Sequence, residues 1–211
     1  MFEQVVKFFV VFLVVVEPLS IIPIFTALTE GASARYRRAM ATKAIVIAAL
    51  IILVFSLAGA GFLKLLGISI EAFRIFGGLL LFLIALEMVF ARESGTRTSK
   101  TEKEESKRRR DISVFPLAFP LISGPGALVT VMLWFGPVSI VQHPVLYMGY
   151  ATSAAIVLAI TLTCLLVAAP IMRVLGVTGA NVANRLFGVV LGALAVQFMI
   201  DGLRASFASL G

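Results

Sequence analysis

The sequence predicts an all-α membrane protein: six transmembrane helices forming two inverted three-helix repeats, with broken helices one and four. Three observations carry that expectation. The 211-residue chain is 60% hydrophobic and 14% charged, with a mean hydropathy of +1.07. An ordinary soluble domain has roughly a quarter of its residues charged, and a water-soluble fold this small could not hide so much apolar surface. Six apolar runs each approach the ~20 residues a helix needs to cross a bilayer. Finally, three short motifs of the first half return, in the same order, in the second.

The same arithmetic removes other classes. One cysteine, Cys164, rules out a disulfide scaffold. The hydropathy rules out disorder and a coiled coil. The net charge of +7 does not read as nucleic-acid binding, because eight of the 18 basic residues crowd into 92–111 beside five of the acids. The others mostly flank apolar runs, as charge does in membrane proteins.

The spans are expected at 5–28, 42–63, 72–91, 112–135, 146–169 and 182–203. Residues 92–111, rich in Arg, Lys, Glu, Ser and Thr, form a charged linker. It separates a first repeat, 1–91, from a second, 112–211. The first run holds Glu17, Pro18 and Pro23 and lacks a small-residue cleavage site, so it reads as a retained span rather than a signal peptide.

Direction follows from Lys and Arg in short loops. Arg35, Arg37, Arg38, Lys43, the eight basic residues of the linker, Arg173 and Arg185 fall on one side. Only Lys7, Lys64, Arg74 and Arg204 fall on the other. The richer side, with loop 92–111, is expected in the cytoplasm and both termini outside. The loop 136–147 carries only His143, in keeping with an external position. Basic residues 107–110 read as a topology signal attracted to anionic headgroups.

The repeat rests on three matches. Pro18-Leu19 with Pro23 corresponds to Pro120-Leu121 with Pro125. Leu63-Lys64-Leu65-Leu66-Gly67-Ile68-Ser69 corresponds to Met172-Arg173-Val174-Leu175-Gly176-Val177-Thr178. Arg74-Ile75-Phe76-Gly77 corresponds to Arg185-Leu186-Phe187-Gly188. Each half has an odd number of spans, so the second crosses in the opposite sense, as in many secondary transporters.

Helix-breaking residues locate the candidate site. A proline inside a helix costs about 3 kcal/mol, and in lipid the freed carbonyls need protein or a wet cavity to satisfy them. Glu17, Pro18, Ser20 and Pro23 interrupt span one. Pro120, Ser123, Gly124, Pro125 and Gly126 interrupt span four. A helix restarting after such a break offers N–H groups and a positive dipole end to a carboxylate. Carbonyls before the break accept from an ammonium, so one small zwitterion could use both. Two structural kinks in packed helices would leave the same residues. Glu17 is costly at a bilayer centre. It is a candidate substrate contact and proton carrier, or a buried acid bonded to nearby backbone. Its counterpart is Phe119.

Glu87 is a second proton-coupling candidate. Asp201 lies near an end of span six, Gln197 suits an interhelical hydrogen bond, and Asn181 and Asn184 precede span six as caps. Arg74 and Arg185 read as snorkelling to headgroups, with a gate or an anchor as the alternative. Gly188 and Gly192 form a close-contact pair. Cys164 reads as packing. No P-loop, cysteine pair or His/Cys/Asp cluster exists, so neither an enzyme, a cofactor nor a metal is expected.

Glu17-Pro18-Leu19-Ser20 with Pro23, Phe119-Pro120-Leu121 with Gly124-Pro125-Gly126-Ala127, and the run 188–198 resemble the MarC family of integral membrane proteins over nearly the whole chain. That resemblance implies six helices in a bacterial inner membrane, grouped with LysE-type exporters of the same three-plus-three plan. It also implies small neutral amino acids as the substrate class. It transfers no site residues. The expected function is therefore alternating-access transport of small neutral amino acids or similar solutes, inward or outward, with proton coupling through Glu17 as an option. The alternatives are a channel or efflux pore for other small molecules, drugs included, and a membrane scaffold. Expected partners are the solute, the lipid bilayer and, as an option, a second copy of the chain; nucleic acid is not one.

Overall fold

The computed structural model describes residues 1–90, 111–138 and 140–208, and every regular element among them is helical. In chain order these are α1 (Phe2–Val16), α2 (Pro18–Leu28), α3 (Ala34–Leu65), α4 (Ile70–Phe90), α5 (Ser113–Ile122), α6 (Pro125–Phe135), α7 (Pro144–Leu166) and α8 (Ala168–Ala208). The α1–α2 pair, α3, α4, α7 and the part of α8 from Asn181 to Ala208 are each long and apolar enough to cross a membrane. The pair α5–α6, bent by 57°, passes the same test only when taken together, which makes five crossings, or six when the pair is one broken span. All six expected runs are thus helical. The linker 92–111 lies outside the described residues except for Asp111.

Local chemistry explains the helix starts. Pro18, Pro125 and Pro144 open α2, α6 and α7, where a missing N–H costs nothing and φ is already helical. The Ser33 hydroxyl caps α3 by accepting from the Tyr36 amide. That cap starts α3 at Ala34 rather than near 42: Arg35, Arg37 and Arg38 are good helix formers, and hydropathy marks only the apolar part of the helix.

One expectation fails at the start of span six. The crossing itself lies at Asn181–Ala208, where the apolar run put it, but helix precedes it from Ala168, kinked at Gly176, whose φ of 62° and ψ of 179° are non-helical. Asn181 and Asn184 therefore lie within α8 and do not cap it.

The first broken span is well enclosed, 61% buried against 22% for Asn181–Ala208. Around it the helices pack through glycines. A Cβ on Gly78 of α4 would meet the Ala195 carbonyl and Met199 of α8; one on Gly188 would meet Met88; one on Gly202 would meet Ile75 and the Glu71 carbonyl. Positions rising along α8 pair with positions falling along α4, so the two run antiparallel.

The two ends differ. At one, Phe8 of α1 stacks on Phe12 and meets Trp134, Phe135 and Tyr150, a cluster bound by aromatic edge-to-face contacts. At the other, Lys43 pairs with Asp111 and joins α3 to the residues before α5. The Lys43 hydrogen bond, helped by Ser113, holds the Asp111 carboxyl down at about 2.

Candidate functional site

Glu17 is where α1 ends and α2 begins. Its φ of 50° and ψ of 64° are left-handed, and it is the one non-glycine residue with positive φ among those described. Its amide donates to the Leu13 carbonyl at 3.1 Å, and its own carbonyl accepts from the Ser20 amide at 3.0 Å. The side chain is only 2% exposed. A non-glycine residue in this conformation persists only when its surroundings enforce it, and such residues concentrate at functional sites. Pro18 then supplies no N–H to the Val14 carbonyl, nor Pro23 to that of Leu19. Close to Pro23, the Thr26 hydroxyl contacts the Ile22 and Pro23 carbonyls at 3.0 and 2.9 Å.

The second break is built differently. In α5, Phe115 and Phe119 are extended, each before a cis proline, Pro116 and Pro120. Wide turns span the break: the Leu117 amide reaches the Ile112 carbonyl at 3.3 Å and that of Ser123 the Ala118 carbonyl at 2.8 Å. The Ser123 hydroxyl donates to the same carbonyl at 2.7 Å. Ser123 thus covers a carbonyl that the break frees. Gly124 is required here, because a Cβ would stand 2.2 Å from the Pro120 carbonyl oxygen. α6 then restarts at Pro125.

The two breaks meet. A Cβ on Gly126, the second residue of α6, would lie 3.1–3.2 Å from Val15, Leu81 and Ile84. Val15 is two residues before Glu17, and Leu81 and Ile84 belong to α4. Glu17, Pro18, Ser123 and Gly126 are buried; Ser20, Pro23, Pro120, Gly124 and Pro125 are half-buried. Glu87 is half-buried on α4, three residues beyond Ile84.

α8 also reaches the first break, since the Ser20 hydroxyl donates to the Asn184 side-chain oxygen at 2.9 Å. Sequence reasoning placed Asn184 at a cap and missed this contact, which no local pattern encodes. It also missed Pro116, although the tandem Phe115-Pro116-Leu117-Ala118-Phe119-Pro120-Leu121 was visible. Gln197 is exposed and bonds Asp201 on its own helix at 2.8 Å rather than a neighbouring one. Cys164 packs half-buried against the core.

The glycines offer a direct check. Gly126→Ala is expected to fold, because the atoms it meets end flexible side chains, at a cost of about 1 kcal/mol. Gly124→Ala meets backbone and is expected to lower the melting temperature much further. Thermal melts in one detergent compare the two; equal shifts would mean that the turn at Gly124 is not this tight.

Helices of membrane-crossing length, two of them interrupted in a buried centre that holds proline, glycine and an acid, define a polytopic integral membrane protein. A model of the MarC family of integral membrane proteins matches residues 2–207, and the chain belongs to that family. It is 37% identical to the UPF0056 membrane protein YvbG of Bacillus subtilis, covering 98% of this chain and 97% of that one. Identity is 36% to a UPF0056 membrane protein of Archaeoglobus fulgidus, with 96% and 93% covered. It is 35% to the UPF0056 membrane protein YhcE of Escherichia coli, with 97% and 94% covered. No solved structure matches the chain.

Proposed function

We propose that the protein is a secondary transporter of small neutral amino acids or similar small solutes, with its site where the two interrupted spans meet. The observation that carries this reading is the contact of Val15 with Gly126, which sets the Glu17 break beside the amino end of α6. The α6 end suits a substrate carboxylate. Glu17 suits the ammonium, or carries a coupling proton.

Alternating access of two inverted repeats would move the solute. Three features support that plan. Both first members of the repeats are interrupted. α4 and α8 pack antiparallel, as a two-fold axis in the membrane plane would require. Gly67 and Gly176, matched in the repeat, both have positive φ, 69° and 62°. The arginine-rich end faces the cytoplasm of a cell whose inner membrane holds the protein, and both termini face outward.

Purified protein in liposomes preloaded with unlabelled glycine, alanine or serine is expected to take up the labelled solute by counterflow, saturably and faster under a pH gradient. Conductance without counterflow would identify a channel instead and overturn the reading.

A further inference from the structure

A cavity lies at the arginine-rich end, at the far end of α2 from Glu17. It holds about 110 Å³, and Phe25, Thr26, Thr29, Arg37, Arg38 and Leu165 are in its wall. α2 has 11 residues, so at ~1.5 Å per residue the cavity sits roughly 16 Å along the helix from the first break. The wall has two characters. Arg37 and Arg38, consecutive on α3, both line it; the first is half-buried, the second exposed. Among the described residues the ion pairs are Lys7–Glu3 and Lys43–Asp111, so neither arginine is matched there by a carboxylate. The other side is hydrocarbon. Phe25 and Leu165 are buried, and the apolar surface continues outward through Leu166, 47% exposed, and Val167, 40% exposed.

We propose that this cavity binds the phosphate headgroup of an anionic phospholipid. Two arginines in the wall of one cavity make it a cation-rich site, and a phosphate accepts paired hydrogen bonds from a guanidinium. A free anion would satisfy the arginines and leave the apolar wall unused. A phospholipid uses both, with its phosphate on Arg37 and Arg38 and its acyl chains over Leu165, Leu166 and Val167. Basic pockets between transmembrane helices are a recurring headgroup site. The cavity volume is several times the roughly 30 Å³ share of one water, room for a phosphate group. Its wall is drawn from α2, α3, α7 and the first turn of α8. A bound headgroup therefore ties the end of the α2 half-span to three neighbours, and lipid occupancy restrains α2 whatever the protein carries.

The test uses the full chain, stripped of lipid in a neutral detergent and titrated with phosphatidylglycerol, phosphatidylcholine or inorganic phosphate. Binding is read by native mass spectrometry and by melting temperature. Phosphatidylglycerol is expected to bind and raise the melting temperature, at concentrations where phosphatidylcholine and inorganic phosphate do neither. Arg37→Gln with Arg38→Gln is expected to weaken that binding at least tenfold. Arg35→Gln, outside the cavity wall, leaves it unchanged. If the double variant does not fold, Arg38→Gln alone, at an exposed position, makes the same comparison with a smaller loss. Equal binding of both lipids, undiminished binding by the variants, or an equal shift from inorganic phosphate at the same concentration would each overturn the proposal.

Discussion

Glu17→Gln is expected to abolish the dependence of amino-acid flux on a pH gradient while leaving the protein folded. Glutamine keeps the size and one carbonyl oxygen of the buried side chain but carries no titrating proton. With gradient-driven accumulation removed, counterflow at symmetrical pH should persist or fall modestly. A second variant separates chemistry from backbone. Glu17 holds φ at 50°, a conformation that costs an L-residue about 1–2 kcal/mol and glycine almost nothing. Glu17→Gly therefore removes that cost along with the carboxyl. Its melting temperature is expected to stay near that of the native protein, because relief of the backbone offsets lost side-chain contacts. Gradient-driven flux is expected to vanish, since under the proposed function Glu17 is the group that holds the ammonium or carries the proton. Gradient-driven flux at native level in Glu17→Gly would show that the residue serves only to turn the chain.

What could be read from the sequence follows from the range of the forces involved. Span positions were legible because hydropathy over some 20 residues is a strong local quantity, and all six runs proved helical. The interruptions were legible because proline and glycine act on the backbone within a turn of themselves. Gly124 and Pro18 stand where the spacing put the breaks. Glu17 stood out because a charge in an apolar run is expensive, although its left-handed backbone was not foreseeable, as the residue before a proline usually prefers extended geometry.

Other features depend on what lies across the fold. Asn184 bonds Ser20 from 164 positions away, and nothing near either residue announces it. The bend at Gly176 lets α8 continue through a stretch that polar Asn181 and Asn184 made look like a helix start. The cavity at Arg37 and Arg38 arises where four helix ends converge. In sequence those two arginines were simply part of the positive side.

Helix contacts show the same limit, and they lead to a second large stability effect. The sequence pattern marked Gly188 and Gly192 as a close-contact pair, and the structure divides them. A Cβ on Gly188 would stand 2.7 Å from Met88 Cβ, whereas one on Gly192 meets only Ala85 Cβ, at an ordinary 3.5 Å. A tighter position, Gly78, carried no motif. Its Cβ would lie 2.7 Å from the Ala195 carbonyl oxygen and 3.0 Å from the Met199 amide nitrogen, both backbone atoms of α8. Side chains can swing aside, but relief at Gly78 requires α4 and α8 to separate. Two terms decide the outcome. Glycine to alanine gains about 1 kcal/mol of helix propensity, while overpacking a close contact costs about 1–3 kcal/mol. At Gly192 the gain is unopposed, so Gly192→Ala is expected to match or slightly exceed native stability. At Gly78 the gain offsets only part of the cost, because two backbone contacts and the Met199 side chain must all yield. Gly78→Ala is therefore expected to melt several degrees lower, and Gly78→Leu to yield little folded protein. If Gly78→Ala and Gly192→Ala melt alike, the α4–α8 seam is looser than these contacts require.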